Sequence, residues 1–436
     1  MSKRIRWLYN EIDNWHSEQL ISDQQARQLR ARYVEDEQKH AWDKLIFPGI
    51  SAVVFGLGVI LFFAYNWADM HKFLKLALVF SSLVLAHGAG FYLSSPQRRN
   101  RGASDGLHLL GTMLFGAGIW LIAQIYHLDE HYPNAFLAWG LGALVFAWVL
   151  PSVAQGLVAV VLISLWSGME IIDFHQTLQY GWLLILLGII PLAWLLRSRS
   201  MLLLGLVSFS VLLIYNRAVP FNGLNPVGAL VMYFSFSLAC LYIALARLVQ
   251  VTDFPESGSL LYALGFSGYL LLLFLFGFKL SGRHGIWFSP LHEFHWGYWM
   301  LPLVLVLIVW LFALLNKDRV FNSRMRYRES FLFMAAMLLV TLQLFFQLPF
   351  QNRWIYLLLL NGTYLAHCVI LILEGIHQIS WKKVILGCVL LSALLFVRFT
   401  DLFGSLLIRS MIFILLGIGL FTVGHFYSRQ KRLSDA

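Results

Sequence analysis

The sequence predicts an all-α polytopic membrane protein with about fourteen transmembrane helices and a small N-terminal cytoplasmic helical hairpin. Two observations support this fold class. Of the 436 residues, 59% are hydrophobic and only 12% are charged, whereas soluble domains carry about 25% charged residues. From Leu45 to Tyr427, apolar runs of the length that crosses a bilayer as a helix follow one another. These runs do not alternate apolar and polar residues, so they do not predict the strands of a membrane barrel.

The N-terminal segment, residues 1–44, is polar and carries acidic and basic side chains in equal number. It lacks the apolar core of a cleavable signal peptide, so none is expected. Leu8, Ile12 and Trp15 recur at helical spacing and predict an amphipathic helix. The S-x-x-Q pattern that starts at Ser22 is typical of a capping box and predicts a second helix. We expect this hairpin to contact an envelope protein partner or to regulate the protein; a partly frayed tether is the alternative.

The remaining chain divides into predicted membrane spans and a short tail. In chain order the spans are 45–66, 72–94, 106–127, 134–150, 152–170, 179–197, 200–216, 226–249, 258–279, 297–316, 329–347, 353–374, 382–398 and 403–427. We interpret 45–150 as the first four transmembrane helices, 151–427 as the remaining helices, and 428–436 as a basic cytoplasmic tail.

Basic residues cluster in alternate breaks between the spans, as the positive-inside rule requires of cytoplasmic loops. These residues are Arg98, Arg99, Arg101, Arg197, Arg199, Lys317, Arg319, Arg324, Arg326, Arg328, Lys382, Lys383, Arg429, Lys431 and Arg432. The bias predicts that both termini are cytoplasmic. It also assigns the net charge of +10 to topology and to anionic membrane lipids, so nucleic acid is not expected as a partner.

The first and third spans share a pattern. Phe55-Gly56-Leu57-Gly58 recurs as Phe115-Gly116-Ala117-Gly118. A tandem two-helix repeat would produce this likeness. Independent close packing of helices on small residues would produce it as well, and the two interpretations stay open.

Motifs of soluble enzymes do not occur in the sequence. It contains no Walker loop, no H-E-x-x-H and no G-x-S-x-G, and its three cysteines lie in apolar runs without a CxxC pair. The sequence therefore favours a protein without a cofactor or an ATP-driven engine, and it favours a non-enzyme over an enzyme.

The candidate substrate-binding residues lie at the outer ends of the first and third spans. Each end presents an amide, an aromatic ring and a histidine; the residues are Asn66, Trp67, His71, Gln124, Tyr126 and His127. An amide can bind a headgroup, a flat ring can stack on a sugar or acyl chain, and histidine titrates between about pH 5 and 8. The alternatives are ordinary interface decoration and a hydrogen-bonded lock between the two helices.

Other polar residues have simpler interpretations. His292 and His295 are three residues apart, which would place both on one helix face, and they are weak candidates for a metal site. Four residues lie deeper in the spans and are predicted to form interhelical hydrogen bonds: His87, Gln343, Asn361 and His367.

Three stretches carry a resemblance to a known family. They are LISDQQA at 20–26, GLGVILFFAYNW at 56–67 and GAGIWLIAQIY at 116–126. They are similar to a bacterial multi-pass membrane family, the domain of unknown function 2157, over about residues 15–150. The resemblance implies an inner-membrane location, no established reaction and no catalytic residues.

The sequence thus favours transport, flipping or sensing of a lipid-linked or small envelope solute through an outward-facing cavity lined by the first four spans. Membrane lipids are the expected partners. A non-transporting scaffold or regulatory component of an envelope complex is the alternative. A polysaccharide polymerase or ligase ranks third, because the longest outer break, about 280–296, is short for such an enzyme.

Overall fold

The computed structural model describes residues 3–26, 28–29, 50–51, 53–55, 57–58, 61, 71–95, 100–127, 131–176, 180–218, 227–250, 254–277, 296–317, 321, 324–345, 353–402, 414, 417–419 and 421–428. Over these residues the protein is helical and has no strand. The predicted all-α class is therefore confirmed.

The helices are numbered in chain order. They are α1 Lys3–Ser17, α2 Lys72–Ser94, α3 Arg101–Tyr126, α4 Pro133–Val149, α5 Val153–Ile172, α6 Gly181–Leu195 with a π-helical turn at Ile185–Ile189, α7 Arg199–Ala218, α8 Val227–Val249, α9 Pro255–Phe276, α10 Trp296–Leu315, α11 Arg324–Phe345, α12 Arg353–His377 and α13 Trp381–Leu402. Each predicted span from 72–94 to 382–398 coincides with one of these helical segments.

Seven of the described helices are long and apolar enough to cross a membrane, and these are α2, α3, α5, α7, α8, α9 and α12. Three further apolar segments are shorter: α4, α6 and Met300–Leu315 within α10. The protein is therefore a membrane protein with several span-capable helices. Most of the first and last predicted spans lies outside the described residues, so the count of about fourteen stays a prediction.

The predicted capping box at the N-terminus is confirmed. The Gln25 backbone N–H donates to Ser22 Oγ at 3.3 Å, and the Ser22 backbone N–H donates to Gln25 Oε1 at 2.9 Å. The pair starts a helical segment at residues 23–26. Residues 30–49 lie outside the description, so the complete hairpin stays a prediction.

The described chain forms two compact units, Met1–Met169 and Glu170–Ala436, which we call unit 1 and unit 2. In unit 1 the helices approach each other at glycines. A Cβ placed on Gly118 of α3 would lie 2.8 Å from Val79 of α2, and one placed on Gly116 would lie 2.2 Å from the ring of Trp139 on α4. Glycine at these positions lets neighbouring membrane helices pack closely.

These contacts support close packing as a role for the second copy of the glycine pattern. In the first copy, a Cβ on Gly58 would meet none of the described residues within 4 Å. Gly56 lies outside the described residues, so the tandem repeat stays a prediction.

Unit 2 is built around an aromatic core contributed by α8, α9, α10 and α11. Its largest fully buried side chains include Tyr233, Phe236, Tyr269, Trp310 and Phe333. Large rings bury much apolar area and pack edge to face with one another. This core surrounds the ionisable residues described below.

Candidate functional site

The predicted substrate-binding residues are at exposed positions where the structure describes them. Gln124, Tyr126 and His127 are exposed at the end of α3, and His71 is exposed immediately before α2. The His71 ring packs against Phe73, with 5.4 Å between ring centroids. Asn66 and Trp67, as well as the metal candidates His292 and His295, lie outside the described residues.

His127 has a local structural role. Its φ of 51° is left-handed, and its backbone N–H donates to the carbonyls of Ala123 and Gln124. This geometry closes the C-terminus of α3 by satisfying carbonyls that the helix leaves free. Among the described residues, no group of three or more His, Cys, Asp or Glu side chains is placed to hold a metal ion.

A groove of about 330 Å³ lies between α2, α3 and α4, which are the second to fourth predicted spans. Its lining residues are Leu83, Val84, His87, Phe115, Gly142 and Phe146. A cavity among the first four spans was expected, with the span-end residues Gln124 and Tyr126 among those that line it. The observed groove is lined by different residues.

His87 on α2 and His108 on α3 are paired beside this groove. Their Nδ1 atoms are 3.1 Å apart, and the His87 ring stacks on Phe146 with 4.3 Å between centroids. The prediction that His87 forms an interhelical hydrogen bond is therefore confirmed. The same holds for Asn361 on α12, whose side-chain amide donates to the carbonyl of Gly277 at 3.3 Å. The side chain of Gln343 lies outside the description.

A set of ionisable side chains is buried in unit 2, where α8, α9, α11 and α12 meet. Glu329 of α11 is its centre: Oε2 accepts from Nη2 of Arg247 at 3.4 Å, and Oε1 lies 3.3 Å from Nδ1 of His367. The Glu329 and Arg247 side chains are each 3% exposed, and that of His367 is fully buried. The other ring nitrogen of His367, Nε2, lies 3.1 Å from the hydroxyl of Tyr269. We call Arg247, Glu329, His367 and Tyr269 the inner cluster.

The directions of these hydrogen bonds follow from their chemistry. When Glu329 is ionised, its carboxylate can only accept, so Nδ1 of His367 carries a proton that it donates to Glu329. When the imidazole is also neutral, its free Nε2 accepts from the Tyr269 hydroxyl. If Glu329 gains a proton, the donor and acceptor can exchange roles in both bonds, because hydroxyl and imidazole can both donate and accept. The inner cluster can thus hold the additional proton on Glu329 or pass it through His367 to Tyr269.

Aromatic rings enclose the inner cluster. Phe333 stacks on His367 at 4.6 Å, and the guanidinium of Arg247 lies over the Tyr262 ring at 4.8 Å from its centroid. A ring face attracts a cation and excludes water from it. In such surroundings the effective dielectric is low, which strengthens each ionic interaction.

A second set of ionisable side chains lies at the end of α12. We call it the outer cluster, where outer refers to its greater exposure and not to a face of the membrane. Glu374 accepts from Nζ of Lys383 at 2.9 Å and lies 3.5 Å from Nε of Arg326. The Arg326 and Lys383 side chains are 27% and 29% exposed, so this cluster is more accessible than the inner one. Glu374 and His367 are two turns apart on α12, which places them on one helix face.

Sequence reasoning found His367 but missed the other residues of the inner cluster. Arg247 lies in the last turn of α8, and Glu329 is the first residue of the predicted span 329–347. Both fall within the predicted spans 226–249 and 329–347, and neither entered the functional prediction. The sequence did contain one signal. On the predicted topology, the end of an even-numbered span and the start of an odd-numbered span lie on the same side of the membrane. Arg247 at the end of the eighth span and Glu329 at the start of the eleventh are therefore expected at a similar depth.

Comparison with known families identifies part of unit 1. Residues 13–156 match the family described as a predicted membrane protein, domain of unknown function 2157, which confirms the resemblance seen in the sequence. No curated protein and no solved structure matches the chain. The inner and outer clusters lie in unit 2, beyond the matched segment.

Proposed function

We propose that this membrane protein is a proton-coupled transporter of a small or lipid-linked envelope solute, with Glu329 as its proton-carrying group. The observation that carries the proposal is the burial of Glu329 of α11 between Arg247 and His367, which lie on the span-capable helices α8 and α12. The setting that we propose is a bacterial inner membrane, with about fourteen spans and both termini in the cytoplasm.

The free-energy cost of such a group favours a functional role. Ionisable residues within membrane helices are rare because removing a charge from water is expensive, and they commonly mark proton relays or ion pathways. A neutral hydrogen bond, such as that between Ser210 and Tyr242 at 2.8 Å, would join two helices at lower cost. The inner cluster instead combines a carboxylate, an imidazole and a phenol in one chain of contacts.

Proton movement through the cluster can be written in balanced form. Tyr269 passes its hydroxyl proton to Nε2 of His367, His367 passes its Nδ1 proton to Glu329, and an incoming proton refills the Tyr269 oxygen. Glu329 becomes neutral, and the cluster as a whole has gained one proton. The reverse sequence releases that proton.

The experiment is a proton-flux assay in proteoliposomes. Purified protein is reconstituted with an internal pH-sensitive dye in a buffer that contains phosphate and gluconate, and a pH gradient is imposed. We expect the wild type to dissipate the gradient faster than protein-free liposomes and Glu329→Gln to lose this flux. Glu256→Gln is the matched control, because Glu256 pairs with Arg199 at an exposed site in the same unit.

A double variant separates function from stability. Glu329→Gln alone leaves Arg247 as a buried cation without its carboxylate, which destabilises the fold. Glu329→Gln with Arg247→Gln removes both charges, so we expect stability to recover while proton flux stays absent. Wild-type protein that dissipates the gradient no faster than empty liposomes would contradict the proposal and favour the scaffold alternative.

A further inference from the structure

We propose that Arg247 binds an oxyanion of the transported solute, a carboxylate or phosphate group that replaces Glu329 at the guanidinium when Glu329 is protonated. This inference rests on the proposed transport function and adds the chemical class of the substrate. On this proposal, the protein is a symporter that carries a proton and an oxyanion together.

The first argument is that Glu329 uses little of the Arg247 guanidinium. Charge-assisted pairs of this kind are commonly bidentate, with N–O distances of about 2.7–2.9 Å. Here a single contact to Oε2 measures 3.4 Å, and the other carboxylate oxygen is directed to His367. Arginine offers five donors in a planar fork that matches carboxylate and phosphate groups. The observed contact therefore leaves donor capacity for a second oxyanion.

The second argument is an orphaned donor. Nε of Arg247 is buried and has no hydrogen-bond partner among the described residues, although the whole residue is only 2% exposed. A buried donor without a partner carries a desolvation cost of about 1–3 kcal/mol, and more when it is charged. The guanidinium lies over the Tyr262 ring, a contact that gives Nε no hydrogen-bond acceptor. A bound oxyanion would supply that acceptor.

The third argument is charge balance. When Glu329 is protonated, Arg247 becomes a buried cation without a counter-charge, which is strongly unfavourable. A monoanion at Arg247 restores neutrality, so binding of the proton and binding of the oxyanion favour each other. One proton then accompanies one negative charge, and the transport cycle is electroneutral.

The surroundings of Glu329 are basic enough to attract an anion. Arg247 and His367 contact Glu329 directly, and Tyr269 is joined to it through His367. Tyr262 of α9, which lies against Arg247, interacts electrostatically with Glu329 and also with Arg326 and Glu374 of the outer cluster. In the outer cluster Lys383 adds a second cation beside Glu374. Two cations against one carboxylate at the more exposed end raise the local concentration of anions.

The test repeats the proton-flux assay with the anions changed. Phosphate and gluconate, which do not cross lipid bilayers readily, are the probes, and chloride replaces them in the control. We expect proton flux to depend on either oxyanion, labelled phosphate to enter with the proton, and the rate to be unchanged when potassium and valinomycin clamp the membrane potential. Arg247→Gln combined with Glu329→Gln should abolish phosphate uptake, whereas the pair Arg199→Gln and Glu256→Gln should not.

The outcomes separate the two proposals. Glu329-dependent proton flux that is equal in chloride and in both oxyanion buffers would overturn the oxyanion site and leave the proton-coupled function standing. Absence of Glu329-dependent flux in every buffer would overturn the function itself. Phosphate uptake that persists after loss of Arg247 would place the oxyanion elsewhere and would also overturn the inference.

Discussion

Units 1 and 2 hold apolar helices together by different means. In unit 1, glycines allow helices to approach until rings and small side chains fill the gap, as Gly116 does with Trp139. In unit 2, an aromatic core encloses a carboxylate that pairs with an arginine and a histidine. The first arrangement depends on shape, whereas the second depends on charge compensation. The two units should therefore respond to different kinds of substitution.

The difference also bears on where function is expected. Lipid tails are as apolar as the helices, so close packing at glycines is a sufficient reason for the helices of unit 1 to associate. Helix association does not require a buried ionised group. Such groups in membrane helices commonly mark proton relays and ion pathways. The chemistry in unit 2 is thus more informative about activity than the packing in unit 1.

The largest effect should follow removal of the central carboxylate. Glu329→Ala leaves Arg247 buried and uncompensated, so we expect a loss of about 3–5 kcal/mol in the free energy of unfolding. Unfolding by SDS in mixed micelles measures it. Glu256→Ala, at an exposed pair in the same unit, should change this free energy by less than about 1 kcal/mol. Equal losses in the two variants would show that unit 2 does not depend on buried charge.

The next largest effect tests shape dependence in unit 1. A methyl group on Gly116 would lie 2.2 Å from the Trp139 ring, so either this ring or the helices α3 and α4 must shift to admit it. We expect Gly116→Ala to cost about 1–3 kcal/mol, the usual range for overpacking.

Gly168 of α5 provides the matched control. A Cβ at Gly168 meets no atom within 4 Å in the part of the chain that the structure describes, and alanine is the better helix former. Gly168→Ala should therefore be neutral or stabilising by up to about 1 kcal/mol. The same unfolding assay compares the two variants. If Gly116→Ala left the free energy of unfolding unchanged, close helix approach at this glycine would not contribute to the stability of unit 1.

A smaller effect is expected from the histidine pair. His87 and His108 form one interhelical contact, with 3.1 Å between their Nδ1 atoms. In a double-mutant cycle with His87→Leu and His108→Leu, we expect a coupling of about 1 kcal/mol, the typical net contribution of one hydrogen bond. Additive losses would show that the two rings contribute independently, through the stacking of His87 on Phe146 and the edge-to-face contact of His108 with Phe91.

The sequence predicted the helices better than their pairing. Helices α2 to α13 follow the apolar runs because span length is set by bilayer thickness, a constraint that acts on each segment alone. Likewise, the capping box at Ser22 involves only neighbours in the chain. His87 and His367 were recognised as interhelical because a deep polar group must find a partner.

The identity of those partners could not be predicted. Glu329 is 82 residues from Arg247 and 38 from His367 in the chain, and no local pattern encodes which helices meet. The amide and ring residues at the span ends attracted the functional prediction because polar groups at interfaces are conspicuous in sequence. Of these, Gln124 and Tyr126 are exposed on α3. The residues most costly to bury were less conspicuous, because they begin or end their runs.

The smallest expected effect tests whether the units differ in their neutral hydrogen bonds. Thr112 donates to Oε1 of Gln155 at 2.8 Å in unit 1, and Ser210 and Tyr242 share a bond of 2.8 Å in unit 2. Interhelical hydrogen bonds in a membrane protein average about 0.6 kcal/mol, because the unfolded chain in the membrane also finds partners. We therefore expect Thr112→Val and Tyr242→Phe to cost similar amounts, each about 0.6 kcal/mol in SDS unfolding. Equal costs would assign the contrast between the units to glycine packing and buried charge, whereas a much larger cost in one unit would show that neutral polar contacts contribute to it.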